Sequence, residues 1–320
     1  MRLKPVIYLL IFLIAFTGCL QNDETADSKT NFTEISLNST LNSTQLIVDD
    51  FGYAISLNST PERIISLAPS NTEILYALGV GDKVVAVTDY CNFPPEAKNK
   101  TKIGGYSTVN VEKVISLNPD LVVASYGNGK ETVEFLRNYV PVIALNPQNL
   151  SDVMKDIELL GRATGQEENA TKIIEMMREK IKEIKKRHKP NESRELKVAH
   201  ILWHDPIWVS GKNTFIDEII TIAGGENVFD FEGWRIVSEE DLIEKNPDVI
   251  IVNAGTGMSK GRNIIYEEVM NLRIKAVDEG HVYTIDPDII SRPSYRLVYA
   301  LEEIANILNE VKSNVSEIEN

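Results

Sequence analysis

Residues 111–124 read VEKVISLNPDLVVA and residues 239–252 read EEDLIEKNPDVIIV, so one phrase occurs twice, 128 positions apart. Each copy carries Glu at its second position, an aliphatic pair, Asn-Pro-Asp, and then four apolar residues. Physically, each is a short helix ended by Pro, a turn, and a strand apolar enough to be buried on both faces of a parallel sheet. A second echo runs ahead of each copy, where Leu78-Gly79-Val80-Gly81-Asp82-Lys83-Val84 resembles Ala223-Gly224-Gly225-Glu226-Asn227-Val228. Two copies are too few for a solenoid. The repeat therefore predicts two related α/β lobes, with a cleft between them as the first place to look for function.

The ends of the chain speak to its compartment. Arg2 and Lys4 precede an apolar run from Val6 to Phe16, followed by Thr17-Gly18-Cys19. The run is short against the ~20 residues of a membrane-spanning helix and has the order of a secretory signal. Thr-Gly-Cys resembles a lipobox, which predicts a lipid on Cys19 and a protein held at the outer face of the cytoplasmic membrane. The following stretch, rich in Asn, Ser and Thr, reads as a disordered tether. Asn31, Asn38 and Asn42 each open a glycosylation sequon there, as Asn58, Asn99, Asn149, Asn169, Asn191 and Asn314 do further on. With Cys19 lipidated, Cys91 has no partner for a disulfide. A net charge of −14 excludes a nucleic-acid partner, because no basic face is left to meet phosphates.

Between these ends the pattern alternates short apolar strands with helices, the signature of parallel sheets. Leu46–Asp49 and Tyr53–Leu57 flank a turn at Asp50-Phe51-Gly52 and predict a hairpin. Ser70-Asn71-Thr72-Glu73 reads as a capping box that opens a helix and accounts for Glu73. Ser151 is expected to cap the next helix. Residues 167–188 keep the 3.6 period through Ala170, Ile173, Ile174, Met177, Ile181 and Ile184, predicting one rigid helix that joins the lobes.

Aromatic residues make up only 7% of the chain, yet several follow the expected strands, where open α/β sheets bind ligands. Tyr90 and Phe93, Tyr106, and Tyr126 do so in the first lobe; Trp203 and Trp208 bracket His204-Asp205-Pro206 in the second, and Trp234 precedes the second repeat. His200 and His204 lie four apart on a strand, which is no compact chelate, and no Cys/His cluster points to a bare metal. Glu112 and Glu240 occupy equivalent first-turn positions, where the helix dipole alone favours a carboxylate.

ERIISLAPSNTEILYALGVGDKVVAVTDYCNFPPEA, then GGY, then NPDLVVA, resembles the substrate-binding lipoproteins of cobalamin and iron-chelate ABC importers, with Tyr90–Pro95 and Trp234–Glu240 most similar to the vitamin B12 branch. The resemblance implies a signal peptide with lipobox at 1–19, a tether at 20–45, an N-terminal lobe at 46–148, a helical connector at 149–194, a C-terminal lobe at 195–313 and a tail at 314–320. It also implies a monomer that captures a corrinoid (cobalamin or cobinamide), needs no cofactor, and delivers its cargo to a permease dimer driven by a cytoplasmic ATPase. Tyr90, Tyr106, Trp208 and Trp234 match that branch's ligand-contacting aromatics, and Asp288, Ile289, Ile290, Ser291 and Arg292 its polar ligand loop. The aromatic expected after the strand 121–124 falls on Ser125, with Tyr126 beside it. Glu112 and Glu240 match the glutamates that dock on permease arginines.

A ferric siderophore or haem is the alternative cargo on the same fold. Catecholate siderophores are anionic and would call for several Arg or Lys in the cleft. An enzyme using Glu112 and Glu240 as an acid/base pair is the reading from another class. Paired glycosidase carboxylates sit about 5–9.5 Å apart, whereas one glutamate on each lobe predicts a far wider separation.

Overall fold

The computed structural model describes residues 45–187, 195–253 and 264–318. Cys19, the sequons at Asn31, Asn38, Asn42 and Asn191, and His188 lie outside the described residues. The hairpin forms as β1 (Gln45–Val48) and β2 (Ala54–Leu57), paired antiparallel. The first lobe follows with β3 (Ile64–Ser66), α1 (Pro69–Ala77), β4 (Val84–Val87), β5 (Thr101–Lys102), α2 (Val111–Ser116), β6 (Leu121–Ser125), α3 (Lys130–Leu136) and β7 (Val142–Leu145). Its strands form one parallel sheet in the order β5-β4-β3-β6-β7. The order reverses between β3 and β6, which opens a crevice at the carboxyl ends of those strands.

The long helix expected between the lobes forms as α5 (Glu167–Arg187), with α4 (Leu150–Thr164) packed beside it in the connector. They cross closely at Gly161, where an added Cβ would come within 2.5 Å of the Ala170 methyl. Helix α4 starts at Leu150, and its cap is Asn149 in place of the expected Ser151, accepting from the Asp152 N–H.

The second lobe comprises β8 (Leu196–His204), β9 (Ile207–Ser210), α6 (Phe215–Ile222), β10 (Gly225–Asn227), β11 (Trp234–Val237), α7 (Glu239–Lys245), β12 (Val249–Asn253), α8 (Ile264–Val269), α9 (Lys275–Asp278), β13 (Val282–Ile285), α10 (Pro287–Ile290) and α11 (Leu297–Ile318). Its sheet runs β11-β9-β8-β12-β13, with β10 also on β8. β9 and β11 are antiparallel to their neighbours, so the mainly parallel pattern expected of the sheets carries an antiparallel edge in this lobe. Among the described residues no helix is long and apolar enough to cross a membrane.

The repeat is structural to the level of single dihedrals. Asn110 caps α2 and Ser238 caps α7, each accepting from the N–H three residues on. Each short helix is followed by an Asn before its Pro, and both take left-handed φ, 49° at Asn118 and 43° at Asn246. Asn tolerates that region better than other non-glycine residues, and Pro then bars the helix from continuing. β6 and β12 occupy corresponding places, each between two parallel strands.

The lobes share one apolar core. A single cluster of buried residues runs from Ile74 and Leu75 of α1 through Ile157 and Met177 of the connector to Ile219 and Leu301. A smaller cluster backs each sheet on its far side. Shear between the lobes would expose that common core, so large hinge closure is disfavoured.

Glu73 overturns its sequence assignment. α1 is preceded by Ala68 with no side-chain cap, and Glu73 points inward, fully buried. Its Oε1 accepts from Arg292 Nη1 and Arg296 Nη1, both at 3.0 Å, and its Oε2 from Ser294 Oγ at 2.6 Å. All three donors belong to the second lobe. Burial pushes the Glu73 carboxyl above the usual range, while the Ser294 hydroxyl and the two guanidinium groups pull it back. Phe93 of the first lobe covers Arg296, its ring centroid 4.0 Å from the guanidinium carbon. Asn92 Nδ2 donates to Asp288 Oδ2 at 2.6 Å and completes the bridge.

Two stability predictions follow from these buried carboxylates. Glu73→Gln takes from the largely buried Arg296 its carboxylate partner and leaves Arg292 with Asp288 alone, and urea unfolding should show a loss of about 3 kcal/mol. Unchanged stability would mean that the lobes are held by the apolar core alone. Asp156 on α4 is buried, no donor among the described residues reaches either carboxylate oxygen, and Asp50 and Asp152 lie beside it. Burial and these like charges push its carboxyl up to about 9. Its proton is thus held in the fold and lost in the unfolded chain, so this group's contribution falls as pH rises from about 4 towards 9. Asp156→Asn should therefore stabilise the protein by more than about 2 kcal/mol at pH 8, and by less at pH 5, in denaturant titrations at the two pH values.

Candidate functional site

The carboxyl ends of the strands in both sheets meet around a cavity of about 680 Å³, within the range of small-molecule sites. The first lobe contributes Ala68-Pro69-Ser70 after β3, Asp89, Tyr90 and Asn92 after β4, Tyr106, and Ser125 at the end of β6. The second contributes Leu202 and Trp203 near the end of β8, Asn253 at the end of β12, Ile265 of α8, and the segment around α10. The floor is the bridge between the lobes, because Asn92, Asp288 and Arg292 belong to both.

Tyr90, Tyr106 and Trp203 supply the aromatic surfaces. The Tyr106 hydroxyl lies 2.9 Å from Ser125 Oγ. Asn128 holds that corner together: its Oδ1 accepts from the Ser125 N–H at 2.6 Å, and its Nδ2 donates to the carbonyls of Leu67 and Tyr106. Gly127 approaches the Tyr106 ring so closely that an added Cβ would fall 2.2 Å from it. The ring is thereby fixed from behind.

Among the described residues lining the cavity, Arg292 is the sole cation. Its guanidinium is already engaged: Nη1 donates to Glu73 and Asn92, and Nη2 to the Tyr90 carbonyl and Asp288. The described lining therefore offers flat apolar faces, hydroxyls and amides, and little uncommitted positive charge.

The expected site residues divide. Tyr90, Tyr106, Asp288, Ser291 and Arg292 lie together in the lining. Ile289 and Ile290 of the same segment do not face the cavity; the single turn of α10 directs Ile290 into full burial and packs Ile289 against the shared core. Tyr126 is exposed and stacks on Phe51 of the hairpin, with centroids 6.3 Å apart. Trp208 and Trp234 are absent from the lining, because they sit in the antiparallel edge formed by β9 and β11. The Trp234 ring packs against Phe215 at 5.7 Å and meets the His200 ring edge-on at 6.3 Å. Trp203, which pairs with Trp208 across β8 and β9, is the tryptophan of the cavity. His204 faces Glu268, its Nδ1 at 2.9 Å from Oε2.

The sequence pattern did not single out Ser70, Asp89, Asn92 or Asn253 for the site, and at Ser125 the resemblance pointed to an aromatic contact and not to a hydroxyl. Each lies at or just after a strand end, and a polar residue closing an apolar strand, as in Val249–Asn253, was the available signal. Glu112 and Glu240 lie outside the cavity, both exposed in the first turns of α2 and α7, one on each lobe.

Comparison with known proteins meets this geometry. The periplasmic binding protein family model matches residues 64–289. An uncharacterized ABC transporter substrate-binding lipoprotein of Bacillus subtilis, YvrC, is 33% identical over 309 residues, covering 93% of this chain and 94% of its own. A vitamin B12-binding protein of Pectobacterium atrosepticum is 28% identical over 276 residues, covering 84% of this chain and 94% of its own. The crystal structure of the periplasmic vitamin B12-binding protein BtuF of Vibrio cholerae matches with a TM-score of 0.68 at 27% identity, covering 79% of this chain and 98% of that one. Two α/β lobes, a rigid helical connector, a cleft at the strand ends and these matches together place the chain in the periplasmic binding protein family, among the substrate-binding proteins of ABC importers.

Proposed function

We propose that this protein is anchored through Cys19 outside the cytoplasmic membrane, captures a corrinoid in the interlobe cleft, and passes it to a permease that meets Glu112 and Glu240. The observation that carries the choice of ligand is the chemistry of the lining. A corrinoid is a broad, largely apolar disc fringed with amides. Tyr90, Tyr106 and Trp203 offer it flat faces, while Ser70, Ser125, Asn253 and Ser291 offer neutral hydrogen-bonding partners. An anionic siderophore or a haem dicarboxylate would need free cations, and the guanidinium of Arg292 is committed to Glu73, Asp288 and Asn92. The names of the vitamin B12-binding relatives point the same way.

Delivery rests on the repeat. A two-lobed protein meeting a two-subunit permease needs one contact on each lobe, and equivalent glutamates supply it with pseudo-symmetry. Both are exposed and stand apart from the cleft lining. Cationic partners across the rim would use them chiefly for encounter and orientation.

Titration of the protein with cobalamin and cobinamide, followed by visible absorbance and tryptophan fluorescence, should show saturable binding tighter than about 1 μM, or beyond about −8 kcal/mol. Trp203→Ala should weaken it roughly tenfold, or about 1.4 kcal/mol. Saturable binding of haem or a ferric siderophore, with both corrinoids inert, would move the assignment to that cargo. In a reconstituted importer, Glu112→Lys combined with Glu240→Lys should abolish delivery and leave corrinoid affinity within about threefold, below 1 kcal/mol. A large loss of ligand binding with the fold intact would place the glutamates in ligand capture instead.

A further inference from the structure

His200 lies in the middle of β8 and is completely buried, an unusual place for an imidazole. Both ring nitrogens are satisfied: Nδ1 is 3.2 Å from Ser210 Oγ, and Nε2 is 3.0 Å from Asn253 Oδ1. The Asn253 amide nitrogen in turn donates to Ser291 Oγ at 2.8 Å. Asn253 and Ser291 line the cavity, while Ser210 and His200 lie behind its wall and the Trp234 ring closes on the imidazole edge. Four polar side chains thus run in file from the core of the second lobe to the ligand surface.

A file of this kind has a direction. Burial pushes the His200 imidazole down to about 4, so near neutrality the ring is uncharged and carries one N–H. Asn253 turns its oxygen to Nε2, so the proton sits on Nε2 and Nδ1 is left as an acceptor for the Ser210 hydroxyl. The Asn253 nitrogen then fills a lone pair of Ser291, whose single hydroxyl proton meets no acceptor among the described residues and can point into the cleft.

We infer that His200 and Asn253 are positioning residues that set the polarity of Ser291, making this hydroxyl a hydrogen-bond donor reserved for a carbonyl oxygen of the ligand. Resting on the corrinoid reading, this assigns the Ser291 side of the cleft to the carbonyl of a peripheral carboxamide. The specificity is one of sign. A ligand group that can only donate would leave two donors facing each other, whereas an amide carbonyl completes the file. Buried polar chains discriminate strongly because a mismatched member goes unsatisfied in a medium where water cannot replace its partner.

The test has one arm that needs no ligand. Nitrogen-15 NMR of the full chain labelled at histidine, with His200 assigned by comparison with His200→Gln, should show a protonated Nε2 and a bare Nδ1 between pH 6 and 8. A protonated Nδ1 would reverse the file and overturn the inference, whatever the cargo proves to be. The second arm is cobinamide binding. Ser291→Ala should weaken it roughly tenfold. Asn253→Asp, nearly the same in shape, replaces the amide donor by an acceptor, turns the Ser291 proton away from the cleft, and should weaken binding several-fold further. If both variants bind within about twofold of the unmodified protein, Ser291 does not serve as the donor and the inference fails. If the unmodified protein binds no corrinoid at all, the functional proposal fails and the tautomer still decides the polarity of the file.

Discussion

The Glu73 carboxylate is the polar joint on which the two lobes close. It leaves the first lobe on α1 and meets Arg292, Ser294 and Arg296, more than two hundred residues later in the chain. A buried carboxylate with two guanidinium partners is costly to desolvate and costlier to break, since removing one member strands the others. Such a group adds little net stability over an apolar substitute, yet it specifies geometry, because only one placement of the lobes satisfies every donor. Asn92 and Asp288 extend the same joint to the cavity floor. The bottom of the cleft is therefore a fixed surface whose charges are already matched to each other.

That joint acts together with an apolar core that ignores the lobe boundary. Ile74, Ile157, Met177, Ile219 and Leu301 belong to one buried cluster. Opening the lobes would hydrate this cluster and expose the Glu73 pair at the same time. The expected motion on ligand entry is thus confined to side chains and to segments at the rim, and the affinity of the cleft depends on pre-arranged surfaces rather than on closure.

Pre-arrangement is visible on both walls. In the first lobe, Asn128 and Gly127 hold Tyr106 and Ser125 in place from behind. In the second, His200 and Asn253 do the same for Ser291. Each wall has buried amides and hydroxyls behind the residues that face the cavity, and each is mounted on the carboxyl ends of parallel strands. Two lobes of common pattern thus present different side chains from equivalent frames, with the exposed glutamates on the outside preserving the symmetry that the cleft has lost.

The repeat at 111–124 and 239–252 made the two-lobed α/β fold legible, down to the caps and the Asn-Pro turns, because caps and turns are local events decided by residues a few positions apart. Strand ends were legible for the same reason, and with them Tyr90 and Tyr106, while the resemblance supplied Asp288, Ser291 and Arg292 of the lining. Resemblance extended to Trp208 and Trp234, which the antiparallel edge of β9 and β11 draws away from the cavity. The pattern around Ser70-Asn71-Thr72-Glu73 satisfies a capping box perfectly well in one dimension. Only the fold brings Arg292 and Arg296 to Glu73, and a buried ion pair then outweighs a cap worth about 1 kcal/mol. His200 was equally opaque, since a histidine in an apolar strand acquires a role only through partners on other strands. The sequence by itself determined the lobes, the sheets and the region of the cleft, all products of short-range pattern. Tertiary structure alone decided which polar side chains meet across long separations, and those meetings set the chemistry of the site.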